Sequence, residues 1–153
     1  MKFTKILAIV IALIICILPV SAFASQEVLP AGYTGNTDSL IEVKNPASAT
    51  STTTNKVCVI SAVAVPGTTV TLYSYDAAHA QYIKMYSEGK AVEAEVGAAG
   101  LYAQNIELKN GTNTILVVAA SGNSVETVKL DITMERSEVA ENIINIWQTL
   151  ING

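Results

Sequence analysis

Chemistry-bearing residues are scarce in this chain: one histidine, two cysteines and only 14% charged side chains in 153 residues. Each scarcity removes a class of function. One His and two Cys cannot build a Cys/His zinc site, and no HExxH, CxxC, GxGxxG or P-loop spacing occurs. Nine basic against thirteen acidic side chains leave a net charge of −4, so no basic surface is on offer for phosphate backbones and nucleic acid is not an expected partner. A GxSxG nucleophile elbow and a DxDxDG calcium loop are also missing. No catalytic set, metal or cofactor is therefore expected, and the chain does not read as an enzyme. Half of the residues are apolar, which is too many for a disordered chain and fits one globular domain of ordinary size.

The first 24 residues read as a secretory signal peptide. Lys2 and Lys5 precede an apolar run from Ile6 to Val20, and Ser21-Ala22-Phe23-Ala24 ends with small residues at the two positions that a signal peptidase reads. The run is shorter than the roughly 18 residues needed to span a bilayer, and Pro19 interrupts its end. Cleavage after Ala24 removes two lysines and Cys16, leaving seven basic side chains against thirteen acidic ones, a net charge of −6. Cys58 is then the only cysteine, so no internal disulfide can form and the fold must rest on its core. The expected location is extracellular, in solution or associated with the cell surface, with no membrane contact after cleavage.

Residues 25–39 contain Pro30-Ala31-Gly32 and Gly35-Asn36-Thr37-Asp38-Ser39 with little periodic apolar content, and are read as a flexible leader. Leu40 to Val43 is a short strand stopped by Asn45-Pro46. Ala47 to Asn55 is a Ser/Thr/Ala tract, read as a loop or irregular edge segment. From Lys56 onward apolar residues recur with period two and turn residues come at short intervals. Strands are expected at Val57–Ala64, Thr69–Tyr75, Tyr82–Tyr86, Ala91–Val96, Leu101–Leu108, Thr114–Ala120 and Val125–Met134. Connections this short make the pairing mainly antiparallel. In the last strand Val128, Leu130, Ile132 and Met134 alternate with polar neighbours, so one face is core; in Val57–Ala64 both faces read as buried. The unit 40–136 is thus an all-β sandwich of about seven strands. After Arg136 the period becomes 3.6: Ser137 is the expected N-cap, and Val139, Ile143, Ile146, Trp147 and Leu150 form one stripe of an amphipathic α-helix within residues 137–153.

Two segments resemble bacterial Ig-like modules of secreted and cell-surface proteins. The first is Cys58-Val59-Ile60-Ser61-Ala62-Val63-Ala64-Val65-Pro66-Gly67-Thr68-Thr69-Val70-Thr71-Leu72-Tyr73, an alternating strand, a Pro-Gly turn and a second alternating strand. The second is Gly100-Leu101-Tyr102, Ile106-Glu107-Leu108 and Asn110-Gly111-Thr112-Asn113, followed by Ile115 and Ala119. The resemblance covers about residues 40 to 134 and implies an Ig-like antiparallel β-sandwich with a non-catalytic structural or interaction role. It implies no catalytic residues. Turn chemistry explains the motifs: Pro66 sets φ while Gly67 and Gly111 accept positive φ, and Asn113 can fold its amide back onto turn backbone groups.

Candidate sites are few. His79 reads as an exposed loop residue, and Cys58 as a small buried hydrophobe. Glu93, Glu95 and Glu107 fit ordinary solvent-facing alternation better than a carboxylate pair. Tyr73, Tyr75, Tyr82 and Tyr86 fall within fourteen residues and are the strongest cluster. Exposed, they would stack on sugars or anchor a protein; the favoured alternative has the C-terminal stripe of Ile143, Ile146, Trp147 and Leu150 covering them. The expected partner is another secreted or surface protein, the runner-up a cell-wall or extracellular glycan.

Overall fold

The computed structural model describes residues 25–135 and 146–151. Its strands are β1 (Val28–Pro30), β2 (Ile41–Asn45), β3 (Thr50–Thr53), β4 (Val57–Ala64), β5 (Thr69–Asp76), β6 (Gln81–Lys84), β7 (Tyr86–Ser87), β8 (Lys90–Ala91), β9 (Glu93–Glu95), β10 (Leu101–Glu107), β11 (Gly111–Ser121) and β12 (Ser124–Met134). They form an all-β sandwich. One sheet runs β1-β6-β5-β11-β12-β3, with β9 also on β5; the other runs β10-β4-β2; β7 and β8 make a separate hairpin.

Turn chemistry places these strands. At Pro66-Gly67 the Thr68 N–H donates to the Val65 carbonyl (3.1 Å) and Gly67 has φ +81°, the geometry of a type II turn. Asn113 holds the turn before β11 as its side chain suggested: Oδ1 accepts from the Lys109 N–H and Nδ2 donates to the Lys109 and Gly111 carbonyls. β6 and β9 lie end to end along the same side of β5. Between them the chain leaves the sheet as the hairpin β7–β8, rooted where the Val92 N–H meets the Met85 carbonyl.

The core fills the space between the sheets. Ile60, Leu72, Val70, Val117, Leu130 and Ile132 are fully buried, with Tyr102 and Ile106 of β10 closing the other side. Glu126 stands at the rim of this core, where its carboxylate accepts the Leu40 and Ile41 N–H groups (2.7 and 2.9 Å) and fixes the entry to β2.

Four sequence expectations are corrected. The leader is not a loose tail: β1 pairs with β6, and Leu29 is 2% exposed. The Ser/Thr tract contains β3, an edge strand parallel to β12; β4 to β11 lie between these two strands in sequence, so the long connection that parallel pairing needs is present. β4 is buried on one face only, since Val57, Val59 and Val63 on the other face are exposed. Residues 146–151 are helical, but Ile146, Trp147 and Leu150 are exposed and do not cover the tyrosines. Ile143 and the rest of the expected helix lie outside the described residues.

Ile132→Ala should lower the unfolding free energy by about 2–5 kcal/mol, because it opens a cavity between the sheets. Asp131→Ala on the outer face, where the carboxylate accepts only from Thr114 and pairs with Lys129, should cost about 1 kcal/mol or less. The Tyr102 hydroxyl is buried without a hydrogen-bond partner among the described residues. Tyr102→Phe should therefore stabilise the fold by about 1 kcal/mol in denaturant titrations.

Candidate functional site

The four tyrosines do not form one exposed platform. Tyr73 and Tyr75 share the outer face of β5, and the β5–β6 register sets Tyr82 opposite Tyr75 and Lys84 opposite Tyr73. Residues 25–37 cross this face as a strap. Leu29 packs with Tyr73, Tyr82, Leu116 and Val118 in a second apolar cluster, with Tyr33 and Val125 at its margin. Tyr73 and Tyr82 are therefore buried; Tyr75, 38% exposed, rests its ring against Tyr82 at 5.1 Å, and Tyr86 on the hairpin is 55% exposed. A cavity of about 130 Å³ remains beneath the strap, lined by Leu29, Tyr33, Thr71, Tyr73, Val118 and Ala120 among others.

Both ends of the strap are tied. At β12 the Asn36 side chain accepts the Val125 N–H (2.8 Å) and donates to the Asn123 carbonyl (2.9 Å), while the Asn36 N–H donates to the Val125 carbonyl (2.7 Å). Gly35 lies so close to β12 that a Cβ there would fall 2.3 Å from the Val125 carbonyl oxygen. At the other end stands Lys84, a residue that sequence reasoning missed. Its Nζ donates to the Ser25 carbonyl (2.6 Å) and Glu27 Oε1 (3.0 Å), with Glu93 Oε2 at 4.0 Å. Glu93 also accepts from Thr71 (3.2 Å) and from the Ser25 hydroxyl. Tyr86 donates to Glu27 (2.6 Å), and that bond, with Lys84 beside it, holds the Glu27 carboxyl below its usual range. Burial raises the Tyr73 phenol, whose hydroxyl donates to the Gln26 carbonyl (2.8 Å). The sequence signal for Lys84 was its parity with Tyr82, which put it on the apolar face of β6.

The remaining candidate residues stand apart. His79 is on the β5–β6 loop, solvent-facing, with Nδ1 2.6 Å from Asp76; the ring holds the Asp76 carboxyl below its ordinary value. Cys58 is half-buried against the core margin, and desolvation pushes its thiol up. Glu107 pairs with Lys56 at 3.3 Å. None of these lies in a nucleophile–base arrangement with the others.

An uncovered surface lies on the opposite sheet. The Ala64 N–H bonds the Gly100 carbonyl and the Leu108 N–H bonds the Lys56 carbonyl, both at 2.8 Å. Even-numbered residues of β10 therefore bond β4, and the N–H and C=O groups of Leu101, Ala103, Asn105 and Glu107 face the open edge. The outer face beside that edge carries Leu101, 69% exposed and opposite Val63, with Val57 and Val59 further along β4. Between β10 and the hairpin is a cleft of about 490 Å³, walled by Met85, Tyr86, Val92, Asn105, Ile106 and Glu107 together with Val57, Ser87 and Glu88. The cleft offers main-chain hydrogen-bonding groups on one side and apolar side chains with one exposed ring on the other.

No protein-family model, curated protein or solved structure matches the chain.

Gly35→Ala should force the strap away from β12 and lower stability by about 1–3 kcal/mol. Near-ultraviolet circular dichroism should report the release through Tyr33, Tyr73 and Tyr82, whereas Gly32→Ala, with nothing within 4 Å of the added carbon, should leave the spectrum unchanged.

Proposed function

We propose that the chain is a non-catalytic, exported Ig-like module that binds another secreted or surface protein, whose extended segment adds a strand to β10. The carrying observation is the contrast among sheet edges. β2 presents Glu42, Lys44, a bulge and Pro46; β3 is four polar residues; β1 is three residues ending in Pro30. Such features blunt edges against pairing. β10 has seven residues with neither lysine nor proline, its one charge, Glu107, stands at the end of the strand and pairs with Lys56, and it borders an apolar face and a cleft.

The strand order supports the architecture. β2-β4-β10 facing β12-β11-β5-β6 follows the order A-B-E facing G-F-C-C′ of Ig domains, in which a further strand, D, lies beside E. Here Val96–Gly100 connects β9 directly to β10, and among the described residues no strand lies beside β10 on the side away from β4, which leaves that place to an incoming strand. Strand addition takes its affinity from main-chain hydrogen bonds and its selectivity from pockets for alternate side chains, and the Met85, Val92 and Ile106 wall is such a pocket. The glycan reading loses support, because a stacking platform of four tyrosines is reduced to Tyr75 and Tyr86.

Ala103→Pro tests the proposal. The Ala103 N–H points away from β4, so proline removes a donor from the open edge while the internal ladder persists. A photo-cross-linker placed at Asn105 of the exported chain should form an adduct with a protein, and Ala103→Pro should reduce that adduct at least about tenfold while the melting temperature stays within a few degrees. Adducts indifferent to Ala103→Pro, or glycan binding lost on Tyr75→Ala, would overturn the reading.

A further inference from the structure

We propose that Glu93 and Glu27, together with Lys84, form a seat for a free α-ammonium group on Ser25, so that hydrolysis of the Ala24–Ser25 bond completes the network that ties the strap down. The inference rests on the reading that the chain is exported and processed.

Lys84 is the only cation in the network among the described residues, and its side chain is 7% exposed. Two carboxylates face it, Glu27 at 3.0 Å and Glu93 at 4.0 Å. Glu95, two residues along β9 from Glu93, shares its face and adds to the negative field. The described network is thus one positive charge short. The Ser25 hydroxyl bonds Glu93, and the Ser25 carbonyl accepts from Lys84. A residue's own nitrogen lies about 3–4 Å from its Oγ, so the Ser25 nitrogen is within roughly 6 Å of the Glu93 carboxylate. At that range an opposite charge favours the ionised form of an amine.

In the unprocessed chain this nitrogen is a neutral amide. Signal-peptidase hydrolysis adds water across the Ala24–Ser25 bond: the carboxylate departs with residues 1–24 and the amine on Ser25 takes up a proton. The cluster then holds two cations and two close carboxylates. The neighbouring titratable groups are Glu27 and Tyr33 on the strap, Tyr73 on β5, Lys84 and Tyr86 on the β6–β7 side, and Glu93 and Glu95 on β9. Only Lys84 opposes the new charge, and it is already turned toward Ser25 O and Glu27.

The amine should therefore titrate above the ordinary α-amino range of about 7.7–8.0. A raised folded-state value contributes stability that is fully present below the unfolded value and is lost as pH rises through the folded one.

The test uses chain 25–153, released from a fusion tag by a protease that leaves Ser25 first, alongside the same chain N-acetylated. At pH 6 the free-amine form should melt higher by about 2 °C or more, with the gap closing at alkaline pH. The Ser25 Hα resonance should titrate with a midpoint above about 8. Glu93→Gln should shrink the gap between free and acetylated forms, a comparison made within one background and so insensitive to the variant's own stability. Equal melting of the two forms from pH 6 to 10, or a midpoint at or below the ordinary range, would overturn the seat. N-terminal sequencing of the exported chain should begin at Ser25; another start overturns the processing half while the melts decide the seat independently.

Discussion

Everything in this fold depends on the fact that its central strands are apolar on both faces. From Ile115 to Ala119 every residue of β11 is buried, and β5 beside it is buried from Val70 to Tyr73. A two-layer sandwich covers one face of each strand. The other face holds Tyr73, Tyr82, Leu116 and Val118, each of which gains about 1.5–3 kcal/mol when taken out of water. The strap, through Leu29, is the cover. It is thin, so it contributes only when held in place, and both of its ends are fastened by polar contacts: the Asn36 and Gly35 contacts on β12, and the Lys84 network at β6 and β9.

The two sheets then differ in a way that bears on binding. The outer face of β5 and β11 is closed by the chain itself, whereas the outer face of β4 and β10 is left open with Val57, Val59, Val63 and Leu101 in solvent. The edge of β10 is open as well, and Tyr86 and the hairpin form a wall across a cleft from it. An apolar face joined to main-chain groups that no neighbouring strand pairs among the described residues is a surface that another strand can complete. The proposed interaction module therefore rests on an incompleteness confined to one sheet. The helical residues 146–151 add a second uncovered apolar surface in Ile146, Trp147 and Leu150.

The two buried charged residues among those described, Glu126 and Lys84, join segments distant in sequence. Glu126 of β12 gathers the N–H groups of Leu40 and Ile41, fixing where the strap turns into the second sheet. Lys84 joins Ser25 and Glu27 of the strap to β6 and β9. Each is a charged group whose hydrogen-bonding capacity is used by backbone or by an opposite charge, as burial requires.

Local pattern determined most of the strands, because alternation and turn chemistry act over a few residues: β4, β5, β10, β11 and β12 fall within a few residues of where the sequence puts them, and Pro66-Gly67 and Asn113 make the turns their side chains dictate. It also determined that Tyr73 and Tyr75 face away from Val70 and Leu72. Which apolar faces acquire a cover was decided only by tertiary structure. Val57–Ala64 and Ile115–Ala120 are both nearly continuous apolar runs, yet one has a solvent face and the other has none. The difference lies in residues 25–37, whose glycines and polar side chains carry no period because the strap forms a single three-residue strand and otherwise bonds through Asn36, Gly35 and its own backbone. Burial of Tyr73, Tyr82 and Lys84 followed from that same docking, contacts that span 47 residues from Gln26 to Tyr73 and 59 from Ser25 to Lys84 and that no local periodicity encodes.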